Sequence, residues 1–487
     1  MNVDFVREAF REDAQLARPP APNLYESVLA QRRRADRRRW ASLAAGLAVL
    51  LVAVAVPVGI SLVGPGADQV AAPPTIPDAD VFGGPTRGSL AGDAGFVEAV
   101  RQLSWAVPGA PAAAEIPDAP VETRQVVFAG DVAGGRWALV VGQNISQLPA
   151  DTGAREDLGI AGVWFLGPSG ASPEQMQMLS NPRPMRPDVP VALYQGPSGA
   201  LVVVAAPGDV IEVSPRPEVA ADATVTRDNF VDTGSTDGVA VSTLDPNPYV
   251  TLGGSPIQYR VIRGGAVVAE QGPDTTNGTA IVPEIDLNYL RPPVYVPFAT
   301  DVQFREQQMA SQILGEYGLQ PDQVELQVRY VGPVPGRSGS TGELTVLSAT
   351  FPSGAVLTRA FWEEQISSPQ PPHAGAGFGG GDCANDLSAE GVPAAERVIA
   401  IRCDVGAGVG DGQLPDPVST LVVLIPPGLA AGSVIAESSP SQTTFILSTI
   451  SLSDPGLAMA PYPDGAEKVL IRAADGAVLD EVPIISL

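Results

Sequence analysis

From about residue 90 to the end of the chain, short runs of Val, Leu and Ile alternate with tight turns rich in Gly, Pro, Ser and Asp. Apolar runs joined by a few turn residues are typical of β-hairpins. The segments that follow this pattern most clearly are 124–142, 191–208, 259–271, 347–361 and 469–482. We therefore expect antiparallel sheet throughout this part of the chain.

Two segments have helical spacing instead. In 95–107 and 302–318, apolar residues recur every three or four positions, and a strand-like run follows each segment. The predicted fold class is mainly β, of the α+β type, with antiparallel sheets and one helix in each half of this part of the chain.

The order of these elements repeats along the chain. Segment 201–214 resembles 421–438, and the hairpin at 259–270 resembles that at 468–481. This predicts two tandem β-rich domains, 90–290 and 300–487, the second a duplicate of the first. The alternative is that unrelated hairpins look alike in a chain this rich in Gly, Ala and Val.

The longest apolar stretch is Trp40 to Gly64, 25 residues without a charge. As a helix it exceeds a hydrocarbon core of roughly 30 Å, so it predicts a transmembrane span. Six arginines immediately precede it: Arg32, Arg33, Arg34, Arg37, Arg38 and Arg39. Basic residues stay on the cytoplasmic side, and Trp40 has the position of an interfacial aromatic. The expected localisation is the plasma membrane, with residues 1–39 cytoplasmic and the bulk of the chain outside.

Residues 1–39 are predicted to form a helical tail. Residues 65–89, which are rich in Pro and Gly, are predicted to be a linker. A cleaved signal peptide is the alternative to the anchor, but its apolar part is usually shorter, and cleavage after Ala72 would leave Pro73 first. The anchor is therefore favoured. Small residues along the span allow two such helices to approach as a homodimer: Ala44, Ala48, Ala55 and Gly59.

Charge separates the two sides of this predicted membrane. Residues 1–39 carry nine Arg and six acidic residues, which leaves 20 basic and 48 acidic residues in the rest of the chain. An exterior this acidic repels nucleic acid and favours a protein or envelope component as partner.

Both cysteines, Cys383 and Cys403, lie in the predicted exterior. In an oxidising compartment, two cysteines about 20 residues apart are expected to form one disulfide. A pair of reactive free thiols is the alternative.

The chain has one His, one Lys and two Cys, too few for the usual zinc sites and nucleophilic triads. The single histidine, His373, lies in 369–381, a Pro- and Gly-rich stretch expected to be a loop inserted in the second domain. Gly375, Gly377 and Gly380 match a dinucleotide-binding spacing but lack the strand before and the helix after that this motif needs. We expect no metal and no cofactor.

Asp-Thr-Gly occurs at Asp151 and Asp232 and resembles the active-site signature of aspartic proteases. The first copy has no apolar strand before it, and the 81-residue spacing is short for a two-lobed protease. The acidic stretches 274–278 and 382–386 lack the full ligand spacing of calcium loops, so turn formation is the favoured interpretation.

The arginine block, the single span and the acidic exterior resemble uncharacterised bitopic membrane proteins of high-GC actinobacteria. The order of parts is also similar to membrane-anchored anti-sigma factors, although residues 1–39 lack their His and Cys zinc signature. We expect a binding, sensing or interaction module of the cell envelope without catalytic residues. The alternative is a carboxylate-dependent hydrolase of the exterior.

Overall fold

A computed structural model describes most of the chain from residue 79 onward. The described ranges are 79–105, 118–145, 159–179, 182–250, 254–276, 281–296, 305–336, 340–368, 375–405, 418–438, 445–452 and 456–487. The predicted tail, the arginine block, Trp40 and the span 40–64 lie outside them. No helix in the described ranges is long and apolar enough to cross a membrane.

The described part before residue 277, here called the first half, contains helix α1 and strands β1 to β15. Helix α1 spans Ala94–Arg101. The strands are β1 Gln125–Val132, β2 Gly135–Gln143, β3 Ile160–Gly167, β4 Gln177–Met178, β5 Arg183–Met185, β6 Val191–Gln195, β7 Ala200–Val204, β8 Val210–Ser214, β9 Glu218–Val219, β10 Val225–Thr226, β11 Val231–Asp232, β12 Val239–Thr243, β13 Gln258–Arg263, β14 Ala266–Gln271 and β15 Asp274–Thr276.

The described part from residue 281 onward, the second half, contains helix α2 and strands β16 to β27. Helix α2 spans Arg305–Tyr317. The strands are β16 Asn288–Tyr289, β17 Glu325–Pro335, β18 Thr341–Thr350, β19 Val356–Ser368, β20 Gly375–Ser388, β21 Ile399–Val405, β22 Val418–Leu424, β23 Ser433–Ser438, β24 Phe445–Ser451, β25 Leu457–Pro461, β26 Lys468–Arg472 and β27 Val478–Ile485. The prediction of a mainly β fold is confirmed.

All five predicted hairpins are present, as β1–β2, β6–β7, β13–β14, β18–β19 and β26–β27. The turn between β13 and β14 shows why the sequence specifies them. Gly264 and Gly265 both have positive φ, +58° and +85°, as a two-residue type I′ turn requires. Turn chemistry was therefore a reliable signal in this chain.

The helix predicted at 302–318 is confirmed by α2, but the helix predicted at 95–107 is too long. Helix α1 ends at Arg101, and Leu103 then closes a tighter turn onto Val100. The backbone N–H of Trp105 donates to Asp118 Oδ1 at 2.9 Å, outside the helix. After this turn, the Trp105 indole is buried.

Each half has the same order of strands. In the first half, one sheet has the order β12-β7-β6-β15 and another β11-β8-β13-β14. In the second half, one seven-stranded sheet combines the orders β25-β22-β21-β27 and β24-β23-β26-β27. The strands at matching places pair in matching directions, including the parallel pairs β6–β15 and β21–β27.

The segment before each helix also repeats. Arg87 pairs in parallel with Phe128 of β1, and β16 pairs in parallel with β17. Residues 79–89, expected to belong to a linker, are therefore part of the fold, and Val81 and Phe82 are buried in its core.

An arginine in each of these segments makes equivalent contacts. Arg87 donates to Ala205 O at 2.7 Å and to Asp237 O at 3.1 Å. Arg291 donates to Ile425 O and, at 2.8 Å, to Gly456 O. Both arginines thereby join the end of one strand (β7 or β22) to the start of another (β12 or β25), so the repeat extends to individual side chains.

The two halves also share a core. Tyr249 of the first half packs in one cluster with Met309, Ile313 and Leu314 of α2. The Asn247 amide donates to Leu314 O at 3.1 Å in a buried position. Residues 75–487 accordingly form one compact unit.

Candidate functional site

Cys383 on β20 and Cys403 on β21 lie side by side. Their Cα atoms are 4.6 Å apart, and both residues are buried. This separation is compatible with a disulfide and confirms the expected proximity. The bridge would join the sheet that carries α2 to the seven-stranded sheet.

The Gly-rich stretch before Cys383 is not a loop throughout, which corrects the prediction for 369–381. From Gly375 onward it is strand β20, paired with β19 as far as Ser388. Sheet pairing uses backbone hydrogen bonds, so missing side chains do not prevent it. The dinucleotide-like glycines therefore lie in a strand and not between a strand and a helix. His373 lies outside the described residues.

The second Asp-Thr-Gly copy forms a turn at the edge of a sheet. Asp232 ends the two-residue strand β11, and its carboxylate accepts from the Gly234 N–H at 2.8 Å. It is exposed. Asp151 lies outside the described residues.

A cavity of about 360 Å³ opens in the first half, where β14 ends and β15 begins. Its walls are apolar at Met185 and Pro190, and its polar groups are Arg183, Tyr259, Gln271 and Asp274. Ligand pockets commonly have this composition, with apolar walls and a few polar groups that fix orientation. Arg183 and Asp274 form an ion pair at the mouth, where both are exposed.

Tyr259 provides the deepest polar group of this cavity. Its hydroxyl donates to Pro190 O at 3.2 Å and accepts from the Gln271 amide. Burial raises the pKa of Tyr259 to about 12, and the nearby Asp274 carboxylate also raises it. The phenol is therefore neutral at physiological pH and acts through hydrogen bonds.

The second half is built differently at the equivalent place. Tyr259 of β13 pairs with Val213 of β8, whereas the counterpart strand β26, Lys468–Arg472, contains no tyrosine, and its buried Val469 pairs with Ala436 of β23. Strand β14 stops before Gly272 and Pro273, whereas its counterpart β27 continues unbroken until it pairs with β21. The broken strand and the tyrosine belong to the first half alone.

The second half instead buries carboxylates between α2 and its sheet. Glu306 in α2 is fully buried, and its Oε1 accepts from the hydroxyls of Tyr289 at 3.0 Å and Tyr295 at 2.8 Å. Its Oε2 has no hydrogen-bond partner within the described residues. Burial and the Glu306 carboxylate raise the pKa of both tyrosines.

Two more glutamates face each other beside Glu306. Glu343 of β18 is directly opposite Glu363 of β19, and such facing residues have Cβ atoms about 5 Å apart. Glu343 Oε2 accepts from the Val296 N–H at 2.7 Å, and Glu363 Oε2 accepts from the Arg305 guanidinium. Burial raises the pKa of Glu343; the Val296 N–H lowers it, and Glu363 and Glu306 raise it further.

Sequence reasoning missed both sites. The signal for the second was Glu363-Glu364 within an apolar strand, but the sequence did not show which partners would face them. No group of three or more His, Cys, Asp or Glu side chains in the described ranges is arranged to hold a metal ion.

Comparison with protein families, with curated proteins and with solved structures found no match to this chain.

Proposed function

We propose that this chain is a single-pass plasma-membrane protein whose exterior is a binding or sensing module made of two tandem β-rich domains. The matching strand orders and the equivalent contacts of Arg87 and Arg291 support a duplication. The apolar stretch 40–64 behind its arginine block supports the anchor.

The cavity beside Tyr259 is the structural feature that best supports a binding function. Its size suits a small molecule, and its polar groups are a neutral phenol, an amide and an ion pair. These groups recognise hydroxyl or amide groups on a ligand with an apolar body. After duplication, only the first half carries the tyrosine and the strand break that form this cavity, which favours specialisation of one copy.

A photo-cross-linking amino acid placed at Val189 in the full chain tests this proposal in intact membranes. Val189 lines the cavity but supplies none of its polar groups, so we expect a discrete adduct that mass spectrometry resolves as a small molecule. Tyr259→Phe removes one hydroxyl and should reduce the adduct yield several-fold.

The matched control places the same cross-linker at Glu481, an exposed position on the counterpart strand β27. We expect no discrete adduct there. Equal labelling at both positions, or no adduct at Val189, would contradict ligand binding in the cavity. A protein adduct at Val189 would instead indicate a protein partner.

The alternative function is a carboxylate-dependent hydrolase, which the facing pair Glu343 and Glu363 favours. Purified protein assayed on envelope polysaccharides should then release products, and both Glu343→Gln and Glu363→Gln should abolish that release. Absence of release by the wild-type protein leaves binding as the better account.

A further inference from the structure

Among the described residues, the carboxylate cluster between α2 and its sheet contains more negative charge than the neighbouring cations neutralise. Glu306, Glu343 and Glu363 are only 0%, 5% and 3% exposed. The guanidinium of Arg305 bonds to one of them, Glu363. Burying an ionised carboxylate is costly unless it is paired or gains a proton.

Two oxygen atoms in this cluster are buried without a donor. Glu306 Oε2 and Glu363 Oε1 have no hydrogen-bond partner among the described residues. Such atoms cost free energy when they are left unsatisfied, so a proton donor beside them would stabilise the fold. No protein N–H or O–H in the described ranges fills this role.

The fold itself does not require the cluster. Among the described residues of the first half, the buried carboxylate is Asp209, which accepts from two Arg263 nitrogens at 2.8 Å and 2.9 Å and from the Ala206 N–H. These residues build the same order of strands without a buried acid that lacks a cation.

We propose that Glu343 and Glu363 bind one proton between them at neutral pH and form a proton-responsive site beneath the first described turn of α2. The proton resides on the Glu343 carboxyl, which faces Glu363 across the ladder. Its O–H donates to Glu363 Oε1, the oxygen that lacks a donor. Two carboxyl groups that face each other in a buried site commonly share a proton, because ionising both would place two like charges side by side. This proposal is independent of the cavity in the first half.

The charged and titratable groups around the pair come from each element packed against it. Helix α2 contributes Arg305 and Glu306, and the segment that carries β16 contributes Tyr289, Tyr295 and, near Tyr289, Glu284. Opposite Glu363 on β20 lies Gly380, with Asp382 two residues further on. Arg305 is the only cation bonded to the pair in the described ranges.

The sign of the pH effect follows from the raised pKa of Glu343. The unfolded chain holds this proton only below about pH 4.3, whereas the folded chain holds it at higher pH. The stabilising contribution is therefore fully present below the unfolded pKa and is lost as pH rises through the folded pKa. Deprotonation of Glu343 adds a negative charge directly opposite Glu363 and should loosen the start of α2 from β18 and β19.

Infrared titration of the full chain in detergent tests the shared proton. We expect the band of a buried protonated carboxyl to persist at neutral pH and to disappear on alkalinisation. Glu343→Gln should remove the band, because an amide replaces the carboxyl group that produces it. The amide N–H still donates to Glu363, so the hydrogen bond between the two side chains is preserved. The same variant should lose less thermal stability than the wild-type protein as pH rises.

Glu363→Gln removes the carboxylate opposite Glu343 and should shift the disappearance of the band to lower pH. It also keeps the test decisive if Glu343→Gln does not fold. Glu437→Gln is the matched control, because Glu437 is equally buried but lies 3.7 Å from Lys468. This control should leave the band unchanged. Absence of the band from the wild-type protein at neutral pH, or its persistence in Glu343→Gln, would overturn the proposal.

Discussion

The first and second halves of the described chain share an order of strands but bury charge of different kinds. Among the described residues, the buried charges of the first half are Arg87, Arg124 and Asp209. Those of the second half are Arg329 and five glutamates: Glu306, Glu343, Glu363, Glu364 and Glu437. A strand order is evidently compatible with either set, because backbone pairing does not depend on these side chains.

The strands that carry the facing carboxylates of the second half are longer than the corresponding strands of the first half. Strands β18 and β19 have 10 and 13 residues, against nine and eight for β2 and β3. The second half thus has longer strands and a buried acid pair, whereas the first half has a broken strand and a cavity.

The largest effect is expected where the halves meet. Tyr249→Ala should cost about 3–5 kcal/mol in the free energy of unfolding, because it empties part of the core shared with α2. Denaturant unfolding measures the loss, and hydrogen exchange shows where it falls. We expect reduced protection in both halves, with Tyr249→Phe close to wild type. Reduced protection in the first half alone would mean that the halves are stabilised separately.

A disulfide would distinguish the second half from the first, which contains no cysteine. Replacing both Cys383 and Cys403 by Ser should lower the free energy of unfolding by about 3 kcal/mol. The reason is that a bridge between residues 20 positions apart closes a loop and reduces the conformational entropy of the unfolded chain. Unfolding with and without reductant measures this. Reductant should have no effect on the double variant; labelling of both cysteines in the untreated wild-type protein would contradict the bridge.

Arg87 and Arg291 make equivalent contacts in the two halves, and their replacement tests whether these contacts contribute equally to stability. Arg87→Ala should cost about 2–3 kcal/mol, because it leaves buried carbonyls without donors. Arg291→Ala should cost about 1–2 kcal/mol, since Arg291 is only partly buried. Chemical denaturation of the single and double variants gives both values. A negligible loss at Arg87 would show that the equivalent contacts have no equivalent energetic role.

The smallest effect is expected at the Asp-Thr-Gly copies. The exposed Asp232 makes a local turn, so the double variant Asp151→Ala and Asp232→Ala should change stability by no more than about 0.5 kcal/mol per site. Function in cells should also persist. A folded double variant that loses the cellular phenotype would favour a carboxylate enzyme over a binding module.

The sequence predicted the local structure well because its signals are local. Gly264 and Gly265 require a specific turn, and alternating apolar runs require strands on either side. The prediction failed where a local pattern competed with a distant contact, as in α1. There, the backbone of Trp105 bonds to Asp118, 13 residues away, and the helix ends early.

By itself, the sequence predicted the mainly β class and the hairpins. Only the tertiary structure placed Glu343 opposite Glu363 and set Tyr259 beside Gln271. The physical reason is that turns and strands depend on neighbouring residues, whereas a site depends on strand register and on which faces pack together. Those are set by contacts between distant residues, which a single sequence does not display.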